Sequence, residues 1–114
     1  MNLKNQKLYF AKQSTANSPL VVLIHGAAGT HLDWPPHLRR LDAASVYAID
    51  LPGHGRSPGP ACSTVDQYAE VVAAFITELD LAEVVLVGHS MGGAVALTIA
   101  RQQPGAVMGL VLIT

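Results

Sequence analysis

At 114 residues the chain is long enough for one modest domain and too short for two. A net charge of −1 gives no electrostatic reason to expect nucleic acid or an anionic membrane as partner, and no apolar run approaches the roughly 18 residues that span a bilayer. Charged residues make up 13% of the chain and hydrophobic ones 50%, so the composition reads as mostly interior, with little solvated surface for its size.

The opening segment, Met1-Asn2-Leu3-Lys4-Asn5-Gln6-Lys7, is polar and lacks the apolar core of a secretory signal. Cys62 stands alone and cannot form an internal disulfide, so a soluble cytoplasmic protein is the expectation. Residues 7–12 carry Leu8, Tyr9 and Phe10 and predict a strand at the edge of a sheet, ended by the polar run 13–19. Residues 20–24 form a continuous apolar run, the pattern of a strand covered by helices on both faces. It delivers His25-Gly26-Ala27-Ala28-Gly29, whose small residues let backbone approach a ligand.

His31, Asp33, Trp34 and His37 follow, and Pro35 and Pro36 start a short helix expected to reach about Leu41. The spacing places no histidine pair at i, i+4 on a settled helix, and no Cys or Glu joins the cluster, so no metal site is expected. Trp34 reads as packing. Residues 46–49 predict the next strand, and Asp50 opens a loop reaching to about Pro60. Asp50 suits the task of fixing that loop by accepting from backbone N–H groups. Cys62, in the loop's exit, has no sequence neighbour that would lower its pKa.

Thr64-Val65-Asp66-Gln67 has the form of a capping box, and Val65, Tyr68, Ala69, Val72, Ile76 and Leu79 recur at helical spacing. An amphipathic helix packed on the sheet accounts for that segment, with residues 81–83 connecting it onward. Val84-Val85-Leu86-Val87 then runs straight into Gly88-His89-Ser90-Met91-Gly92, after which a helix is expected to about Gln103, stopped by Pro104-Gly105. Strand, sharp turn and helix put Ser90 at the bend. Such a bend strains its middle residue and requires that the positions two before and two after carry no side chain, which Gly88 and Gly92 satisfy. Residues 107–113 predict a last strand, whose apolar stretch 109–113 would form an exposed edge prone to aggregation. Neither a dinucleotide fingerprint nor a phosphate loop competes, since Gly53-x-Gly55 lacks a third glycine.

Gly88-x-Ser90-x-Gly92 resembles the nucleophile elbow of the α/β-hydrolase family. Val21-Val22-Leu23-Ile24-His25-Gly26-Ala27-Ala28-Gly29 resembles its strand and oxyanion loop, and Asp50-Leu51-Pro52-Gly53-His54-Gly55-Arg56-Ser57 its loop after the next parallel strand. Three motifs in the family's order are far more specific than the pentapeptide alone. The resemblance implies an α/β fold, a mostly parallel sheet with helices on both faces, of which residues 1–114 would be the N-terminal part of a single domain, without lid or C-terminal part.

It further implies Ser90 as nucleophile, and the N–H groups of Ala27 and Met91 as donors to an oxyanion in the substrate site. A serine at the elbow argues against the family's dehalogenases and epoxide hydrolases, which use Asp there. The family's order is Ser, then acid, then His, so neither Asp50 nor His54, which precede Ser90, fits the acid or the base. His89, as the immediate neighbour of Ser90, is expected to point away from its hydroxyl.

The implied function is a serine hydrolase acting on a small-molecule ester or related acyl compound, needing no cofactor. The acid and histidine would lie beyond Thr114 or come from a complementing chain. A non-catalytic remnant or binding module of the same architecture is the alternative, and esterase, lactonase, C–C hydrolase, perhydrolase and acyltransferase remain open within the enzyme reading.

Overall fold

The computed structural model describes residues 7–15, 18–79 and 83–114. Of the expected features, the segment Met1 to Gln6, residues 16–17 of the polar run and residues 81–82 of the connection into the serine strand lie outside the described residues.

Runs of β-branched and apolar residues become strands β2 (Leu20–Ile24), β3 (Ser45–Ile49), β4 (Val84–His89) and β5 (Val107–Ile113). β2 pairs in parallel with β3 on one side and β4 on the other, and β5 pairs in parallel with β4. β1 (Phe10–Gln13) runs antiparallel along the outer side of β3, giving the order β1-β3-β2-β4-β5 and a mostly parallel sheet. β1 starts later than residue 7 because its ladder begins at Phe10 opposite Ile49. The backbone of Tyr9 serves the following loop, its N–H donating to Ser57 Oγ (2.9 Å) and its carbonyl accepting from Asp50 N–H (2.9 Å).

Alternation along the buried strands divides their side chains between two cores. Val22, Ile24, Tyr47, Ile49, Val84 and Leu86 face helices α2 (Val65–Glu78) and α3 (Met91–Gln102), meeting Val72, Phe75, Ile76, Val95 and Ile99. Leu23, Val46, Ala48 and Val87 face the other way, onto Trp34, Ala44 and Leu38. Both faces are covered, unequally: two long helices on one, and on the other a single turn, α1 (Pro36–Arg39), preceded by a 3-10 turn at His31–Asp33.

α1 ends two residues short of the expected Leu41. Arg40 leaves the helical region at φ −121° and Leu41 is exposed, so nothing apolar holds a second turn. Thr30 and Asp33 form a complete capping box around the 3-10 turn. At α2 the expected box is half formed: Thr64 accepts from Gln67 N–H (3.1 Å), but the Gln67 side chain accepts from Ser63 N–H (2.7 Å). β5 is an open edge with exposed apolar side chains, Met108 at 57% and Leu112 at 49%. No helix among the described residues is long and apolar enough to cross a membrane.

From β2 the chain leaves toward β3, and from β4 it leaves in the opposite direction toward β5, so the strand order reverses between β2 and β4. A crevice opens at the carboxyl ends of adjacent strands at such a reversal, the place where open α/β sheets bind ligands. Ile24 and Gly88 are register partners there.

Candidate active site

Ser90 occupies that crevice at the junction of β4 and α3, with φ 56° and ψ −117°. A non-glycine residue held at positive φ costs on the order of 1–3 kcal/mol and survives only where its surroundings force it. The glycines do the forcing. A Cβ on Gly88 would lie 2.5 Å from the carbonyl carbon of Gly92 and 2.6 Å from Gly93 Cα, and one on Gly92 would strike the Ile24 carbonyl and come within 2.5 Å of His25 O. Backbone therefore packs directly on backbone where β2, β4 and α3 meet, and the turn between Gly88 and Gly92 has little room to relax.

Serine is among the best helix N-caps, yet the Ser90 side chain makes no cap hydrogen bond; only its carbonyl enters the helix, accepting from Gly93 and Ala94 N–H. The strained backbone turns the hydroxyl away from capping. Ser90 lines an open, largely apolar cavity of about 430 Å³ between α3 and β5, together with Gly93, Ala94, Leu97, Leu112, Ile113 and Thr114. The Ser90 N–H donates to Ile113 O (2.9 Å), tying the turn to β5. Met91, half-buried, begins α3, and among the described residues its N–H has no backbone acceptor.

The loop after β2 comes to the same place. Gly26 is buried against the serine turn; a Cβ there would sit 3.2 Å from His89 O and 3.3 Å from Ser90 Cβ. Ala27 is exposed, its N–H without a backbone acceptor among the described residues, and Ala28 turns the chain at φ 61° so that Gly29 N–H reaches back to Gly26 O (3.1 Å). The expected trio of Ser90, Met91 and Ala27 thus comes from two loops in contact through Gly26.

Asp50 holds the third loop. Fully buried, it accepts from the backbone N–H of His31 (2.6 Å) and of Arg56 (2.9 Å) and pairs with His31 Nδ1 (2.9 Å). Burial pushes its carboxyl up, but the N–H bonds from Arg56 and His31 and the His31 ring together outweigh that and leave it below the usual 3.8. Burial raises the Cys62 thiol, helped by Glu70, which leaves it a poor nucleophile.

The histidines divide clearly. His25 is wholly buried, with Nδ1 2.6 Å from Gly26 O and Nε2 accepting from Leu51 N–H (3.0 Å). Sequence reasoning gave that side chain no task. Burial lowers its pKa below 6.5, against the bond to Gly26 O and with the help of His54. His31 is taken by Asp50, and His54 Nδ1 lies 3.0 Å from Pro52 O. His37 is exposed on α1. His89 lines a second cavity of about 450 Å³ with His25, Trp34, Leu38 and Ile113 and is not among the residues that line the cavity at Ser90. Trp34 is buried packing, as expected, although its Nε1 has no hydrogen-bond partner among the described residues. Among the described residues no group of three or more His, Cys, Asp or Glu side chains could hold a metal ion. A larger groove of about 730 Å³ between α2 and α3 is lined by the carboxylates of Asp66, Glu70 and Glu78, by Thr77, and by amides and alanines, and none of the residues expected at the site lines it.

A mostly parallel sheet with a strained serine at its topological switch defines the class: the chain belongs to the α/β-hydrolase fold family, matching it over residues 19–114. Among its relatives are the dihydrolipoyllysine-residue acetyltransferase component of the acetoin cleaving system of Cupriavidus necator, 43% identical over 96 residues, and lipase LipV of Mycobacterium tuberculosis, 36% identical over 106. These alignments cover 82% and 93% of this chain but 26% and 41% of the relatives, so the chain spans between a quarter and two-fifths of their length. A solved marine microorganism esterase superposes with a TM-score of 0.85 at 31% identity, covering 95% of this chain and 41% of the esterase.

Proposed function

We propose that this chain is the nucleophile-bearing part of a serine hydrolase that acts on small-molecule esters or related acyl compounds. Ser90 Oγ attacks the acyl carbon, and the N–H groups of Met91 and Ala27 receive the negative charge that develops on the carbonyl oxygen. Loss of one such donor typically costs about 3 kcal/mol of transition-state stabilisation. The observation that carries the reading is the Ser90 backbone at φ 56°, where the hydroxyl caps nothing in its own helix while the residue lines an open cavity. The esterase and lipase among the similar proteins support this class of chemistry.

Attack requires a base for the serine proton. Among the described residues the imidazoles of His25, His31 and His54 are already engaged, His37 sits on α1 and His89 lines a different cavity. The general base and its carboxylate are therefore supplied by polypeptide outside these residues, either in the same chain or in a complementing one, and residues 1–114 act as the N-terminal part of the domain. A fluorophosphonate probe applied to the protein carrying this segment together with that base should label Ser90, and Ser90→Ala should abolish the label. Failure of the intact protein to react would refute the assignment. The missing imidazole partner favours one other reading, a binding module that keeps the architecture without the reaction, and unreactive Ser90 in the intact protein is what that reading expects.

A further inference from the structure

We propose that His25 is a positioning residue: its ring clamps the peptide unit between Gly26 and Ala27, and so aims the Ala27 N–H at the developing oxyanion. The inference rests on the assignment of Ser90 and Ala27 above and asks what holds that donor in place. A peptide unit is planar and trans, so the Gly26 carbonyl and the Ala27 N–H are fixed in opposite directions. Whatever grips the carbonyl therefore sets the line along which the N–H points.

Two donors grip it. His25 Nδ1 is 2.6 Å from Gly26 O, and Gly29 N–H reaches the same oxygen at 3.1 Å. The tautomer follows from the other side of the ring. Leu51 N–H can only donate, and it does so to Nε2 at 3.0 Å, so Nε2 carries the lone pair and Nδ1 the proton. His25 is wholly buried, and the His54 ring packs against it at a 47° tilt with centroids 5.1 Å apart, which leaves the imidazole little freedom to move. Gly26 is pressed against His89 O and Ser90, so the clamped unit directly adjoins the serine. The ring thus joins the loop after β3, through Leu51, to the loop that presents the donor.

The test compares His25→Asn with His25→Leu in the intact protein, following the rate of fluorophosphonate labelling at Ser90 and the 15N spectra of the imidazole and of the Ala27 amide. Asn places its Nδ2 where Nδ1 stands and keeps the bond to Gly26 O while losing the Leu51 acceptor; Leu fills similar space and keeps neither. Expected are an Nδ1–H tautomer for wild-type His25, labelling within about threefold of wild type for His25→Asn, and at least a tenfold loss for His25→Leu. That loss is a fraction of the roughly 100- to 1,000-fold effect of deleting an oxyanion donor outright. A purely structural role would slow both variants together, since both lose the Leu51 bond. Equal labelling of the two variants, or an Nε2–H tautomer in wild type, overturns the proposal, and the tautomer decides even if His25→Leu does not fold. If wild-type Ser90 proves unreactive while the Ala27 amide shifts in His25→Leu and not in His25→Asn, the clamp stands and the hydrolase assignment falls.

Discussion

Replacing Gly92 with alanine sets two opposing effects against each other, and the structure decides which is larger. Gly92 is the second residue of α3, where alanine is intrinsically favoured over glycine by about 1 kcal/mol. The added methyl, however, would strike the Ile24 carbonyl oxygen and lie 2.5 Å from His25 O and 2.7 Å from the Ile24 carbonyl carbon, where ordinary contact begins at 3.4 Å. These are backbone atoms at the end of the central strand, which is laddered to Ile49 on one side and Gly88 on the other, so they cannot swing aside as a side chain would. Overpacking of a core typically costs about 1–3 kcal/mol, and a clash with backbone belongs at or beyond the upper end. The net expectation for Gly92→Ala is a loss of about 2–3 kcal/mol, or roughly 2 M in urea midpoint at a slope near 1.3 kcal/mol per molar. Trp34, the only tryptophan and 6% exposed, reports unfolding by its fluorescence. Gly105→Ala is the control, since nothing lies within 4 Å of a Cβ there, and it should stay within about 0.5 kcal/mol of wild type. A midpoint for Gly92→Ala equal to or above wild type would refute the close packing on which the serine turn depends.

Relieving the strain at the serine should show in the same assay. Ser90→Gly should raise stability by about 1 kcal/mol over Ser90→Ala, because glycine adopts φ 56° freely and alanine does not, and equal stabilities would remove the strain argument. Asp50→Asn turns an acceptor for Arg56 or His31 N–H into an amide donor inside a buried site and should cost about 2 kcal/mol at pH 7. Because the Asp50 carboxyl is held below 3.8, its contribution is complete above that pH and is lost as pH falls through its lower folded value. The gap between wild type and Asp50→Asn should therefore narrow in acid, as denaturation at pH 7 and pH 3 would reveal. His25 has the opposite chemistry and the same direction: its pKa is lowered by burial, so stability is unaffected above 6.5, declines as pH drops below it and levels off beneath the folded value. His25→Asn should flatten that decline in urea midpoints measured from pH 8 to pH 5.

How much of this was readable before any coordinates depended on the range of each interaction. The glycines at 88 and 92 announce the serine turn because their requirement is local, a missing side chain two positions on either side. Asp50 was legible for a similar reason, since a buried aspartate opening a Gly-rich loop has backbone donors close at hand in Arg56. His25 was not. Its partner Leu51 lies 26 residues away, and no spacing rule connects them until β2 and β3 pair. The strand order was equally out of reach, because the patterns of β2, β3 and β4 are interchangeable apolar runs, and only the crossover through α2 places β4 on the far side of β2. The length of α1 was overestimated because periodicity predicts a helix without knowing whether Leu41 has anything to bury against.

The bond from Ser90 N–H to Ile113 O moors the serine turn to β5, the last strand of the described sheet, rather than to β2 at its middle. The turn is therefore held from two sides by different means, backbone packed on backbone where Gly92 meets Ile24 and a single hydrogen bond at Ile113. A displacement of Ile113 would thus reach the Ser90 amide directly, without passing through β2.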